Sequence, residues 1–218
     1  MHSLMLLSLR LLLAYNPQVG RHPQKAGAIV QVSQGTPELT SVEIVTLPAE
    51  AWEEYRVLRL RALKTEPQAF GSSLAEMERS MGEEWQRRLE DVIDGKRHLL
   101  FAKLCGKLVG MVGAFQEEED RRSSTAYIHG MYVDSDARSR GIGRALLSQL
   151  LEDLAESGIT RAKLDVSTDQ LAAKQLYLSL GFAVTGSNVQ TLGDGKQHVE
   201  LEMELPVDSG RWEQTSIT

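Results

Sequence analysis

The chain has 218 residues, 42% apolar and 25% charged, with 30 acidic and 24 basic residues for a formal charge of -6. That composition excludes collagen-like, mucin-like and wholly disordered chains, and the acidic balance argues against a nucleic-acid partner. One cysteine, Cys105, builds neither an intrachain disulfide framework nor a Cys-based zinc site, and it fits a reducing, cytoplasmic setting.

The chain reads as a single domain with appendages: an extension over residues 1–40, a domain over 41–206 and a tail over 207–218. Leu4–Ala14 is apolar but broken by Ser8 and Arg10. It is too short to span a bilayer, and it lacks the basic flank and cleavage site of a signal peptide. The Gln-, Gly-, Pro- and Ser-rich stretch Asn16–Thr40 has no period and reads as flexible.

Val42–Leu47 reads as a strand. Trp52, Tyr55, Leu58 and Leu63 mark one helical face, ending before Pro67. Phe70–Ser73 is loop-like, and Gly82–Ile93 is a second helix with Met81, Trp85, Leu89 and Val92 on one side. Leu99–Leu104 and Lys107–Phe115 form a hairpin about Cys105-Gly106. Glu117–Asp120 is an acidic loop that reaches toward an acceptor, or is simply solvated. Thr125–Val133 is a strand rich in β-branched and aromatic residues.

The most informative segment follows. Asp134–Leu147 joins that strand to a helix marked by Leu147, Leu150, Leu151 and Leu154, and it carries Arg138, Ser139, Arg140, Gly141, Ile142, Gly143 and Arg144. Glycines let successive backbone N–H groups converge, the helix N-terminus adds unpaired donors and partial positive charge, and the arginines add full charges. This is a polyphosphate cradle. No Walker A run is present, and the third glycine of a dinucleotide loop is replaced by Leu146. An ordinary helix start stays open at this point.

Ile159–Val166 reads as a strand. Thr168 or Asp169 is placed to cap a helix with Ala172, Ala173, Leu176, Tyr177 and Leu180 on one face and Gly181 closing it. Phe182 opens another strand, Gly193–Lys196 is a turn, and His198–Leu205 alternates with Val199, Leu201, Met203 and Leu205 inward.

Two linked stretches carry a family resemblance: Met131-Tyr132-Val133 with Arg138-x-x-Gly141-x-Gly143, and Val166 through Ala173, Leu176, Tyr177, Gly181 and Phe182. Together they resemble the Gcn5-related N-acetyltransferase (GNAT) superfamily over about Val42–Leu205. The resemblance implies an α/β (α+β) fold, with a mixed, mostly antiparallel sheet flanked by helices and splayed between the strands ending at Val133 and Val166. It implies that acetyl-CoA sits in that gap, with the Met131–Val133 backbone on the pantetheine arm and residues 138–144 around the pyrophosphate. Gln170 stands where the family often has Asn, keeping the amide but adding a methylene between it and the arm. Tyr127 stands where relatives often carry a base Glu.

The implied reaction is acetyl transfer to a primary amine, in a small molecule or a protein. A lysine-like amine of pKa ~10.4 is neutral in only about one molecule in 2,500 at pH 7, so a base is useful. His129 alternates with Met131 and Val133, which places all three on one face and makes it a candidate base. A backbone N–H near Val133 is the candidate oxyanion donor. Tyr177 is the candidate general acid at the departing sulfur; full proton transfer from a phenol near ~10 to a thiolate near ~8.5 is uphill by about 2 kcal/mol. Trp85 and Phe70 are candidate walls of the acceptor pocket. Two other readings stay open: a non-catalytic acyl-CoA-binding module, and a nucleotide-dependent oxidoreductase disfavoured by Leu146. No membrane partner is expected, and exposed strands leave room for a homodimer.

Overall fold

The computed structural model of the chain describes residues 28–31, 41–116 and 124–207. The apolar run near the start and the acidic loop Glu117–Asp120 lie outside them. So does most of the expected extension, but within it Ala28–Gln31 forms a strand, β1, paired antiparallel to β2. A four-residue edge strand needs no hydrophobic period to pair, which is why the sequence pattern did not mark it.

The remaining strands are β2 (Ser41–Val45), β3 (Arg97–Leu104), β4 (Lys107–Phe115), β5 (Thr125–Val133), β6 (Arg161–Ser167), β7 (Ala183–Thr191) and β8 (Gln197–Pro206). The helices are α1 (Trp52–Thr65), α2 (Leu74–Arg79), α3 (Gly82–Ile93), α4 (Ile142–Glu156) and α5 (Leu171–Ser179). Within the described residues the strands form one eight-stranded sheet in the order β1-β2-β3-β4-β5-β6-β8-β7. Every pairing is antiparallel except β5 with β6. No helix among the described residues is long and apolar enough to cross a membrane.

Local chemistry explains most element ends. Cys105 (φ 50°) and Gly106 (φ 77°) both take the left-handed region that a two-residue hairpin turn of matching twist requires. The short helix α2 was not expected from the pattern. Its start is fixed by a capping box, in which Ser73 Oγ accepts from the Glu76 N–H while the Glu76 carboxylate accepts from the Ser73 N–H at 2.9 Å. Helix α5 begins at Gln170 with no side-chain cap, so neither Thr168 nor Asp169 caps it as expected. Instead the Asp169 N–H donates to Ser167 Oγ.

Two cores lie on opposite faces of the sheet. On one, α4 buries Ile142, Leu146, Leu147, Leu150, Leu151 and Leu154 against Val112, Ala114, Ala126 and Ile128, with Tyr177 and Phe182 at the margin. On the other, α1 and α3 bury Tyr55, Leu58, Leu63, Trp85 and Leu89 against Phe101, Met111 and Tyr132. Tyr55 meets Trp85 and Phe101 edge-on, with centroids 5.1 and 5.3 Å apart. Trp85 is fully buried, so it packs and does not line a pocket.

Two irregularities position the site. Strand β5 pairs with β6 only at Thr125–Arg161, Ala126–Ala162 and Tyr127–Lys163; beyond that the two separate. Strand β5 also carries an extra residue. Gly113 faces His129 and Met111 faces Tyr132, so Gly130 and Met131 together oppose Val112, and Gly130 has φ 68°. The bulge reverses the alternation. Ile128 faces the α4 core, Tyr132 faces the α1 core, and Met131 and Val133 pack on the α4 side. His129 therefore lies on the face opposite Met131 and Val133, which corrects the expectation that the three share one.

Candidate functional site

The fork between β5 and β6 ends against the start of α4. Gly141, the residue before the helix, takes φ 78°, and Ser139 takes φ 61°. No side chain caps the helix and its first turn holds no acidic residue. The first-turn N–H groups thus retain their unsatisfied donors and positive potential. A Cβ on Gly143 would stand 3.1 Å from Met131 Cε and 3.3 Å from Leu176 Cδ2, so glycine lets β5, α4 and α5 approach closely where they meet at the base of the fork.

The arginines of this loop divide their duties. Arg138 Nε donates to the Val133 carbonyl at 2.9 Å, and its Nη2 pairs with Glu66 at 2.8 Å, which ties the end of β5 to the end of α1. Arg144 Nη2 donates to Ser179 Oγ at 2.7 Å, and Ser179 Oγ donates to the Leu176 carbonyl at 2.7 Å, joining α4 to α5. Arg140 is exposed and pairs with no described carboxylate. Glu66 and Ser179 were not foreseen. A partner contributed from a distant segment leaves no local signal.

Tyr177 is 5% exposed and meets Phe182 edge-on at 5.8 Å. Burial pushes its phenol well above the ordinary tyrosine range, so it remains a protonated donor at neutral pH. Its hydroxyl bonds to no described residue. Gln170 is half-buried at the start of α5 with its side-chain amide unused in capping.

The face of the sheet away from α4 carries the rest. His129 packs its ring over Gly113, where a Cβ would stand 3.0 Å from its Cε1 and Nε2, and tilts against Phe115 at 5.4 Å. His129 keeps exposed surface. Even so, desolvation, reinforced by Arg59, Arg97 and Arg88, lowers its pKa to about 4. Tyr127 stacks on Phe115 at 5.9 Å and lies under Lys163, so it is held in a ring stack on this face.

Two residues past the last β5–β6 pair, His129 and Asp165 occupy equivalent positions on the separating strands. Asp165 is registered with Glu202 on β8, and Ser167 with Glu200. Burial, then Glu202, raises the Asp165 carboxyl; burial, then Asp165, raises that of Glu200. These carboxylates were not singled out from sequence. The same period that points Met203 and Leu205 inward points Glu200, Glu202 and Glu204 to the other face, so the signal was there to read. Val199, by contrast, is 48% exposed and not inward as expected.

A roof crosses this face. Gly193, in the β7–β8 turn, donates its N–H to the Phe70 carbonyl at 2.7 Å. Phe70 is 4% exposed and sits beneath the Arg59 guanidinium, 4.3 Å from its centroid. The turn is pinned by His198, whose Nε2 meets Asp194 at 3.0 Å while Nδ1 lies 3.5 Å from Asp169. The arrangement offers a donor-rich helix start on one side of the fork and, on the other, a polar face of β5, β6 and β8 bordered by the Phe70–Gly193 contact. A phosphate-bearing acyl carrier fits the first: unused amides, an exposed Arg140 and a glycine at the base of the fork lie in line with the free edge of β5.

Residues 57–182 match the family described as acetyltransferase (GNAT) family. The chain is similar to human N-acetyltransferase 8, 37% identical over 83 residues that cover 38% of this chain and 37% of that one. It is similar to the [ribosomal protein bS18]-alanine N-acetyltransferase of Escherichia coli strain K12, 36% identical over 84 residues, 38% of this chain and 56% of that one. The chain thus spans about a third to a half of the length of these relatives. Among solved structures, a GNAT-family acetyltransferase from Streptococcus pneumoniae aligns with a TM-score of 0.65 at 24% identity, covering 76% of this chain and 99% of that one, a likeness of fold.

Proposed function

Because the chain belongs to the acetyltransferase (GNAT) family, we propose that it moves an acetyl group from acetyl-CoA to a primary amine by direct attack, with Tyr177 as general acid. The observation that carries this reading is the opening of β5 from β6 beside an uncapped helix start. Bound acetyl-CoA supplies a thioester acyl group with a thiolate leaving group.

The residues suited to hold it are the amides at Ile142–Arg144, the guanidinium of Arg140 and the free edge of β5 at Met131–Val133. Arg138 acts here chiefly by fixing the end of β5 through Val133 and Glu66. Gln170 is placed at the α5 start to offer its amide to the same arm. Ser139 shapes the loop through its left-handed backbone.

The amine nitrogen forms the new C–N bond as the C–S bond breaks. One proton leaves the ammonium before attack and a second, lost from the nitrogen after it, balances the proton that reaches the sulfur, so the sum is ammonium and thioester to amide and thiol with one proton released. His129, neutral at pH 7, accepts a hydrogen bond from the incoming amine but is a weak proton sink. Asp165 and Glu200, whose carboxyls burial raises above the ordinary range, are further candidate bases on the same face. Tyr177 donates to the departing sulfur, and its raised pKa keeps it protonated for that role.

Thiol release with an amine panel, measured beside acetyl-CoA binding, tests the reading. Turnover with at least one amine is expected. Tight binding without thiol release would instead support a non-catalytic acyl-CoA module, the reading that Tyr127 in place of a base Glu favours.

A further inference from the structure

Three guanidinium groups lie near enough to His129 to act on its charge, and among the described residues they are poorly matched by anions. Arg59, on α1, lies over Phe70, and its Nη1 is 3.4 Å from where a Cβ on Gly130 would stand. Its Nε is sealed from solvent with no hydrogen-bond partner, and no described carboxylate pairs with it. Among the described residues Arg88, on α3, reaches the Met77 sulfur at 3.8 Å and the Trp85 ring. The Nε of Arg97, on β3, is buried without a hydrogen bond, with Asp91 3.8 Å away. A desolvated cation lacking a counter-charge is costly, and pairing it relieves that cost. Across the fork the charge is reversed: Asp165, Glu200 and Glu202 share one face of β6 and β8. The face beside the Phe70–Gly193 contact thus has a cationic side and an anionic side.

We infer that the acceptor is a small amine that carries its own carboxylate, an α-amino acid, with the carboxylate on Arg59 beside His129 and the amine turned toward Asp165. This rests on the acetyl-transfer reading and names its substrate class. A neutral amine brings Arg59 no carboxylate beyond those of the described residues, none of which pairs with it. A carboxylate placed there quenches the repulsion that His129 feels from Arg59, Arg88 and Arg97, while the acidic wall holds the ammonium until it loses its proton. Arg59 is then a specificity residue for the acceptor.

The test uses the full chain, acetyl-CoA and matched pairs of amino acids and their carboxamides, with a peptide bearing a free N-terminus as a third arm. The expected result is a kcat/KM for the acid about ten- to a hundredfold above that for the amide, the range of a charge-assisted hydrogen bond. Arg59→Gln should erase that preference and Arg59→Lys retain part of it. A wild-type readout stands beside the variants: the His129 ring resonances, titrating near 4 in the free chain, should shift to a higher midpoint with a saturating N-acetylamino acid but not with its amide. Equal use of acid and amide, an unmoved His129 midpoint, or a preference for the peptide overturns this inference and leaves acetyl transfer standing. Thiol release with none of the amines overturns both.

Discussion

The Gly193 N–H and the Phe70 carbonyl, 2.7 Å apart, join the β7–β8 turn to the loop between α1 and α2. The contact is so close that only glycine fits. A Cβ on Gly193 would overlap the Ser72 carbonyl oxygen and stand 2.9 Å from that of Pro67. Backbone, not a flexible side chain, meets it, so the loops themselves must part.

Gly193→Ala should therefore lift the roof. We expect a loss of about 1–3 kcal/mol in stability, as for other overpacked sites. The KM for the amine should rise while the Kd for acetyl-CoA stays near that of the parent, because this contact borders the polar side of the fork. Calorimetric binding of the carrier, read beside amine kinetics, checks the split; an equal loss in both would refute it.

Tyr177→Phe should lower kcat by about 10²–10⁴ if the phenol is the acid, with little change in acetyl-CoA affinity. The substitution keeps the ring that packs edge-on against Phe182 at 5.8 Å, so the fold is retained. Turnover equal to that of the parent would remove Tyr177 from the mechanism.

Arg138 and Arg140 should behave differently although they are two residues apart. Arg138→Ala breaks the bonds to Val133 and Glu66 and should cost about 1 kcal/mol of stability. Arg140→Ala should leave the melting temperature in place and weaken acetyl-CoA binding in a salt-dependent way, as an exposed charge on a phosphate does. Binding at two salt concentrations, with melting curves, separates them.

His198 supplies a pH-dependent tie. Its hydrogen bond to Asp194 raises its pKa above the ordinary histidine value, with burial opposing and Asp169 assisting. A raised folded-state pKa means that its contribution is complete below the unfolded value of about 6.5 and disappears as pH rises through the folded one. The melting temperatures of wild type and His198→Gln should thus differ most near pH 5.5 and converge at alkaline pH. A gap that is constant with pH would show that His198 acts by packing alone.

Much of this architecture was legible because it is written in local periods. The leucines of α4, the Cys105-Gly106 turn and the β-branched run of β5 each satisfy a spacing rule within one element. Gly141 and Gly143 marked the cradle because a left-handed cap and a close approach both require glycine. The bulge at Gly130 was not legible, since one glycine in a strand does not announce which side gains a residue. That error carried His129 to the wrong face. Arg59 passed unnoticed for a different reason: on α1 it reads as an ordinary outward charge, and only the approach of Phe70 and His129 gives it a role.

The extra residue in β5 also fixes how the strand can change length. Tyr132 presents its hydroxyl to Thr65 at 3.1 Å in the α1 layer, while its neighbours Met131 and Val133 serve the α4 layer. Deleting Gly130 would return β5 to strict alternation in the same register with β4, leaving Tyr132 in the α1 layer and Met131 and Val133 in the α4 layer. Such a deletion would call for repair of neither interior, so its cost would fall on the local bend and twist that the extra residue gives the strand beside the fork.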